Sequence, residues 1–303
     1  LVTLTTRRDG YSGFGTKKKW GTFPSVALGW NIADEDFFPT NSLISALKLR
    51  ASFGKNGNQA ISAYQTIARL ASGENANMVS LNNPLPGYLP TQLAQDNLGW
   101  ETSNTYNIGL DYSFLEDRIQ GDINIYKTNT FDLLLDRTIS FVHGIASITQ
   151  NIGETQNKGF EFSISSVNIN RGDFTWKTMA NASFVSNKIV SLYGELDQSG
   201  QEIDDIANQW FIGHPINVNF NYKWAGVWQE SEASEASAYG QQPGFVKVED
   251  LNNDGVINAD DRQIIGQVDP KFLWGLTNTI TYKNFTLNIF MHGVHGVTKE
   301  NPL

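Results

Sequence analysis

The sequence predicts an all-β fold, an antiparallel up-and-down β-barrel with strands long enough to cross a membrane. Three observations support this prediction. Apolar and polar residues alternate with a period of two, the alternating runs are long, and the connections between them are alternately long and short. A tilted strand needs about 9–11 residues to cross a bilayer, whereas strands of soluble proteins average about 5–6 residues.

The clearest alternation lies in the segment 101–131, which predicts a long hairpin. From Tyr106 to Phe114 the even positions are apolar or aromatic, and the odd positions between them are small or polar. A tight turn at Glu116 and Asp117 follows, and the alternation then resumes. Such a pattern is typical of two antiparallel strands that each have one apolar face.

Similar runs recur along the whole chain. We predict strands at 1–8, 20–32, 43–56, 101–115, 117–131, 156–169, 173–187, 204–212, 216–228, 271–282 and 284–295. Near Ser165 and Ser166 the apolar phase shifts by one residue, which predicts a β-bulge.

The connections between these runs differ in length in a regular way. Long connections at 57–99, 132–155 and 229–270 alternate with tight turns at 116–117, 170–172, 213–215 and 283. In an up-and-down barrel successive connections lie at opposite ends, so one end would carry all the long loops. A soluble β-sandwich has no reason to sort its loops in this way.

The composition excludes several classes of protein. A net charge of −9 and a pI near 4.9 argue against a nucleic-acid partner, because phosphate binding needs a basic surface. The absence of cysteine argues against a disulfide scaffold and a thiolate metal site. A mean hydropathy of −0.31 excludes a helical membrane protein but not a barrel, whose strands turn half their residues to a polar lumen.

Since the chain begins inside an alternating run without an initiator Met or a signal peptide, we expect an internal piece of a longer protein.

The sharpest local motif is DLNNDGVINADD at 250–261, which matches the EF-hand calcium loop through its first nine positions. The expected oxygen ligands are Asp250, Asn252, Asp254, the carbonyl of Val256, Asn258 and Asp261, with Gly255 at the sharp turn. Position 12 is an Asp rather than the longer bidentate Glu, so we expect a single structural calcium loop without the helices of a full EF-hand. The alternative is an Asn/Asp/Gly-rich turn that binds nothing.

Motifs of catalysis are weak, and we do not expect an enzyme. GYSGFGTKKK at 10–19 lacks the Gly-Lys-Ser/Thr ending of a phosphate loop, and no Gly-x-Ser-x-Gly elbow occurs. The acidic residues Asp204, Asp205 and Glu101 are candidates for a glycosidase pair, but the sequence gives no separation between them.

Several segments, taken together, resemble the β-barrel of SusC/RagA-type TonB-dependent transporters of Bacteroidota. They are RRDGYSGFGTKKKWGTFPSVALGW, LKLRASFGKNGNQ, LGWETSNTYNIGLDYSFLEDRIQGDINIYK, NIGETQNKGFEFSIS and GFVKVEDLNNDGVINADDRQIIGQVDPKFLWGLTNTITYKNFTLNIFMHGVHG, in the order of the family and over nearly the whole chain. The resemblance implies that residues 1–303 form about half of a 22-stranded outer-membrane barrel whose plug domain is absent from this chain. It also implies the calcium-type loop at 250–261.

The resemblance further implies a function and partners. We expect import of oligosaccharides or peptides with a SusD-like surface lipoprotein, driven by TonB through a region outside this chain. Membrane lipid would contact the apolar face, while Asp111, Asp122 and the long loops would line the solute path. Rings that are candidates for stacking on sugars are Tyr64, Tyr88, Trp210, Phe211 and Tyr239, although loop packing is the commoner role of such residues. The alternative is a secreted β-rich carbohydrate-binding module with a structural calcium loop.

Overall fold

The structure is a computed structural model that describes residues 1–39, 43–72, 78–80, 83–85, 87–140, 142 and 144–299. The described residues form nineteen strands, numbered here along the chain. Nine long strands make one antiparallel sheet: β1 (Val2–Gly10), β2 (Trp20–Asn31), β3 (Ile44–Asn58), β8 (Glu101–Phe114), β9 (Ile119–Phe131), β12 (Glu154–Arg171), β13 (Phe174–Ser191), β18 (Phe272–Tyr282) and β19 (Phe285–His295). Each of these strands pairs with the next one in the series, which is the up-and-down topology predicted from the sequence.

The other strands pair as short ribbons within the connections. They are β4 (Arg69–Ser72) with β7 (Tyr88–Gln92), β5 (Met78–Ser80) with β6 (Asn83–Leu85), β10 (Leu134–Thr138) with β11 (Ser147–Asn151), β14 (Val218–Tyr222) with β17 (Arg262–Gln267), and β15 (Trp224–Val227) with β16 (Val246–Val248). A short helix, α1 (Ala233–Ala238), lies between β15 and β16. No helix in the described part of the chain combines the length and the apolar composition that crossing a membrane requires.

The strand register places apolar side chains in rows on one face of the sheet. One row crosses seven strands through Ala51, Ile108, Ile125, Phe160, Phe184, Phe272 and His295. Ile108 is 60% exposed and Ile125 is 57% exposed, although both are large and apolar. An exposed apolar surface that extends over a whole sheet needs an apolar environment, and a water-soluble module would not leave it uncovered.

Connections of different length lie at opposite ends of the sheet. The connections 59–100, 132–153 and 192–271 share one end, and the tight turns 115–118, 172–173 and 283–284 share the other. We call these the long-loop end and the short-turn end. For these connections the sorting agrees with an up-and-down barrel wall.

The connections 11–19 and 32–43 do not follow this sorting, since the longer of the two lies at the short-turn end. The predicted tight turn 213–215 is wrong as a connection of the main sheet, because it lies inside the connection 192–271.

The predicted strands 204–212 and 216–228 are wrong as members of the main sheet. Both segments lie inside the connection 192–271, so the sheet has nine strands rather than eleven. At 204–212 the Asp205 carboxylate accepts a hydrogen bond from the backbone N–H of Asn208, which bends the chain into a turn. Phe211 is buried against Phe220, so the apolar signal of this segment came from packing within the loop.

The predicted bulge in β12 is present, but it lies slightly beyond the predicted position. The register shifts between Val167 and Ile169, so Asn168 is the extra residue. The predicted turn after β8 is also present. Leu115, Glu116 and Asp117 all have positive φ, with values of 56°, 55° and 66°.

Buried side chains concentrate at the long-loop end. Phe14 is 2% exposed and packs edge-on against Trp100 at a ring distance of 5.2 Å. Phe23 contacts the same tryptophan at 5.3 Å. This aromatic cluster fixes the connection 11–19 to the rim of the sheet.

Candidate functional site

The polar face of the main sheet carries a cavity of about 670 Å³. Its lining comes from neighbouring strands and includes Asn31, Lys48, Asp111, Gln120, Asp122, Ser163 and Asn181. These residues share one face because successive side chains on a strand point to opposite sides. The sheet is therefore concave on its polar side, and the exposed apolar residues such as Ile108 and Ile125 lie on its other side, which we call the outward face.

An ion pair and hydrogen bonds connect four strands in this wall. The Arg50 Nε lies 3.0 and 2.9 Å from the two carboxylate oxygens of Asp111, and its Nη2 lies 2.7 Å from Asp111 Oδ1. The same Nη2 donates to Asn124 Oδ1 at 3.1 Å. Asn124 Nδ2 donates to Asp122 at 2.6 Å, and Ser163 Oγ donates to the other oxygen of Asp122. A bidentate guanidinium restrains Asp111 in both position and orientation.

Two facing carboxylates of this wall, Asp111 and Asp122, have different partners. Asp111 and Asp122 are directly opposite each other on β8 and β9, but the ion pairs of the described residues include only Asp111. On the strand beyond Asp111, away from Asp122, Lys48 is the register partner of Asp111. It lines the same cavity and forms no ion pair with any described residue. The cavity therefore presents an anionic group and a cationic group that can bind a polar solute.

The predicted calcium loop lies in the connection 192–271, and its first and last carboxylates fold back onto its own backbone. Asp250 Oδ2 accepts the N–H of Gly255 at 2.8 Å, and Gly255 has the positive φ of 82° that the sharp turn requires. Asp261 is fully buried, and its two oxygens accept the N–H groups of Leu251 at 2.9 Å and Asn258 at 2.8 Å. The hydrogen bond between Leu251 and Asp261 thus joins the second position of the loop to its twelfth.

The middle of the loop has a similar arrangement. Asn252 Oδ1 accepts the N–H of Asp254 at 3.0 Å, and Asp254 Oδ1 accepts the N–H of Val256 at 2.8 Å. Burial raises the pKa of Asp250, but hydrogen bonds from Gly255 and Tyr239 outweigh burial and hold that pKa below its ordinary value. Ca²⁺ prefers oxygen ligands, among them ionised carboxylates, and the Asp and Asn side chains of this loop are ligands of that kind. The described residues nevertheless contain no group of three acidic or histidine side chains that converge on one point.

A neighbouring cluster of aromatic and charged side chains supports this loop. Of its residues, the sequence pointed only to Tyr239, and to that residue as a ring that could stack on a sugar. Trp228 is 4% exposed, with Lys247 Nζ 4.0 Å from its ring and the Tyr239 ring at 5.8 Å. Tyr239 donates its hydroxyl hydrogen to Asp250 at 3.1 Å. A hydrogen bond to Glu232 raises the pKa of Lys247. These residues are distant in sequence, so spacing alone gave no signal for them.

The predicted ring residues differ in their accessibility. Tyr64 is 65% exposed and Tyr88 is 66% exposed, so both remain available to a solute. Phe211 is 8% exposed and packs against Phe220 at 4.7 Å. The expectation that Phe211 stacks on a sugar is therefore wrong, because its ring is already covered.

The three candidate glycosidase carboxylates stabilise loops. Asp204 accepts the N–H of Ile212 at 2.7 Å, and Asp205 accepts the Tyr193 hydroxyl at 2.6 Å. Burial and the hydrogen bond to Asp205 raise the pKa of Tyr193. Glu101 accepts the Asn58 amide at 3.1 Å and shares no described hydrogen-bond partner with the other two carboxylates.

Comparison with known proteins adds a family match to this geometry. The family model described as "TonB dependent receptor-like, beta-barrel" matches residues 1–291. The curated TonB-dependent receptor P3 of Formosa agariphila is 37% identical over 98% of this chain, and SusC of Bacteroides thetaiotaomicron is 35% identical over 94%. The chain spans 30% of the length of the first and 28% of the second. A solved structure of the RagAB peptide transporter superposes on 97% of this chain, and the match covers 31% of the RagAB chain. The TM-score is 0.77 at 22% sequence identity, which shows that the fold is shared.

Proposed function

The chain belongs to the TonB-dependent receptor β-barrel family, and we propose that it forms part of the wall of a SusC/RagA-type importer of oligosaccharides or peptides. Proteins of this family lie in the outer membrane, and this wall lies there with its apolar face toward lipid. The observation that carries the proposal is the concave polar face with its 670 Å³ cavity behind an exposed apolar face. A solute path needs this combination of a polar interior and an apolar exterior.

The proposed partners follow from the relatives and from the loop sorting. A SusD-like lipoprotein would dock on the connections 59–100, 132–153 and 192–271, which all lie at the long-loop end. RagAB, whose fold this chain shares, is a peptide transporter, so a peptide is one candidate solute beside an oligosaccharide. TonB would act through a region outside this chain.

Calcium is the proposed structural ion of the loop 250–261. The residues that would hold it are Asp250, Asn252, Asp254, the carbonyl of Val256 and Asp261. The bound ion would cross-link this loop through oxygen ligands. Supporting observations are the Gly255 turn and the closure between Leu251 and Asp261. Through the Tyr239 hydroxyl, the loop is also joined to the Trp228 cluster.

An uptake assay tests the proposed function. The full-length gene is deleted in its native host, and the deletion is complemented with the wild-type gene or with Asp122→Lys. We expect the deletion to abolish uptake of one class of labelled oligosaccharide or peptide, the wild type to restore it, and Asp122→Lys to restore only part of it. Equal uptake by the deletion strain and the complemented strain, for both solute classes, would contradict the proposal.

A further inference from the structure

Two lysines of the outward face lie directly opposite each other. Lys127 on β9 is the register partner of Lys158 on β12, and both side chains are exposed. Side chains in such cross-strand positions have Cβ atoms about 5 Å apart, and like charges placed there destabilise a sheet. The pair therefore needs a compensating anion.

The described residues supply no anion to this pair. None of their ion pairs involves Lys127, Lys158 or the nearby Lys188, which is also exposed on the outward face of β13. Glu154 lies further along β12 on the same face, and it accepts a hydrogen bond from Asn129 at 3.2 Å. Three cations are thus grouped on one outer surface without an ion-pair partner in the described part of the chain.

The lysines lie just beyond the apolar band of the sheet. On β13 this band extends from Phe174 to Phe184. A strand segment of that length, inclined by about 40° to the membrane normal, spans about 25 Å of membrane thickness, which is the height of the lipid-facing band of outer-membrane barrels. Phe184 pairs with Phe160, and Lys158 is the next outward-facing residue on β12 toward the long-loop end. Lys127 is likewise the next outward-facing residue after Ile125 on β9. Both ammonium groups therefore lie at the level of lipid headgroups in the outer leaflet.

We infer that Lys127, Lys158 and Lys188 form a binding site for the phosphate groups of a phosphorylated glycolipid in the outer leaflet of the outer membrane. A phosphate between Lys127 and Lys158 neutralises both charges, while the acyl chains of the lipid cover the apolar row of Ile125 and Phe160. Both interactions come from one ligand, which free phosphate cannot provide. The inference depends on the outward orientation of the apolar face and is independent of which solute is imported.

The test uses the full-length protein extracted in detergent from its outer membrane. Native mass spectrometry measures the retention of lipid A that carries both phosphates, with dephosphorylated lipid A and inorganic phosphate as further probes. The test variant is Lys127→Gln with Lys158→Gln. The matched control is Lys177→Gln with Lys283→Gln, which removes the same charge from the polar face and from a short turn. A second variant, Lys127→Arg with Lys158→Arg, keeps both charges and is expected to retain lipid as the wild type does.

We expect the Gln variant to bind phosphorylated lipid A about 30-fold more weakly than the wild type, at about 1 kcal/mol per lysine. The control pair should bind as the wild type does. Dephosphorylated lipid should bind the wild type at least as weakly as phosphorylated lipid binds the Gln variant, which still has Lys188. Equal retention by wild type and Gln variant, or equal retention of both lipids by the wild type, would overturn the inference. Displacement of the lipid by millimolar inorganic phosphate would assign the lysines to free phosphate and would also overturn it. A gel shift on heating shows whether each variant is a folded barrel. If the double Gln variant does not fold, Lys127→Gln and Lys158→Gln are tested singly.

Discussion

Asp111 and Asp122 lie directly opposite each other on adjacent strands, and of the described cations only Arg50 forms an ion pair with either of them. Asp111 has a bidentate guanidinium partner, while Asp122 accepts hydrogen bonds from the neutral groups of Asn124 and Ser163. Of this facing pair, Asp122 therefore keeps a charge that is free to act on a solute.

Reversing the charge of Asp122 tests this difference. We expect Asp122→Lys to reduce uptake several-fold, because it changes the sign of the charge at the cavity. The free energy of unfolding should fall by about 1–3 kcal/mol, because the hydrogen bonds from Asn124 and Ser163 are lost. Uptake of labelled solute and the temperature of the heat-induced gel shift measure the two effects.

Asp173→Lys in the tight turn 172–173 is the matched control for Asp122→Lys. It makes the same change of charge at the short-turn end, outside the residues that line the cavity. Normal uptake by Asp122→Lys, or an equal loss in both variants, would contradict the assignment of the polar face to the solute path.

Calcium should protect the loop 250–261 from local opening. With millimolar Ca²⁺, we expect slower amide hydrogen exchange in this segment of the full-length protein, and the same concentration of Mg²⁺ should have a smaller effect because Mg²⁺ demands stricter octahedral geometry. Asp250→Asn should remove most of the calcium effect. Equal exchange with and without calcium in the wild type would show that the loop is a turn that binds no ion.

Removing the buried carboxylate of Asp261 should open the same loop by a different route. Asp261→Ala leaves the N–H groups of Leu251 and Asn258 without their acceptor, and each hydrogen bond lost from such a half-buried position costs about 0.5–1.5 kcal/mol. We expect much faster hydrogen exchange at these two amides even without calcium. Asp260→Ala is the control, since Asp260 is exposed. Unchanged exchange in Asp261→Ala would contradict the inward orientation of this side chain.

Protection of the loop should also depend on pH. The pKa of Asp250 is lowered in the folded state, so its contribution to stability is present above the ordinary pKa of 3.8 and is lost as pH falls through the lower folded value. Tyr239→Phe removes one of the hydrogen bonds that lower this pKa. We therefore expect the loss of protection to begin at a higher pH in Tyr239→Phe than in the wild type. Identical pH profiles would show that the Tyr239 hydroxyl does not act on Asp250.

Glycine is required in β9 where neighbouring strands approach closely. A Cβ atom at Gly121 would lie 2.0 Å from the carbonyl oxygen of Ser163 and 2.6 Å from the Tyr112 hydroxyl. We expect Gly121→Ala to destabilise the barrel by about 1–3 kcal/mol, as measured by the temperature of the gel shift. At Gly54 the nearest atom would be 3.7 Å away, so Gly54→Ala should be nearly neutral. Equal shifts in the two variants would contradict the close packing at Gly121.

Period-two alternation predicted the long strands because one face of each strand meets a uniform apolar environment. The same signal failed at 204–212, where Phe211 packs against Phe220 within the loop and Asp205 stabilises a turn. The sequence motif located the loop 250–261 but could not show that Asp261 turns inward toward backbone N–H groups. The pairing of Lys127 with Lys158 depends on register, which a single sequence does not specify.

Cysteine labelling tests the central claim, that the polar face lines a water-filled path and the apolar face meets lipid. This chain contains no cysteine, so single cysteines can be placed in it without a background from its own residues. Gln120 lines the cavity on the polar face, while Ile125 lies on the apolar face of the same strand. In native outer membranes we predict that Gln120→Cys of the full-length protein reacts with a water-soluble maleimide and that Ile125→Cys does not. Rapid labelling of Ile125→Cys with protection of Gln120→Cys would contradict the account.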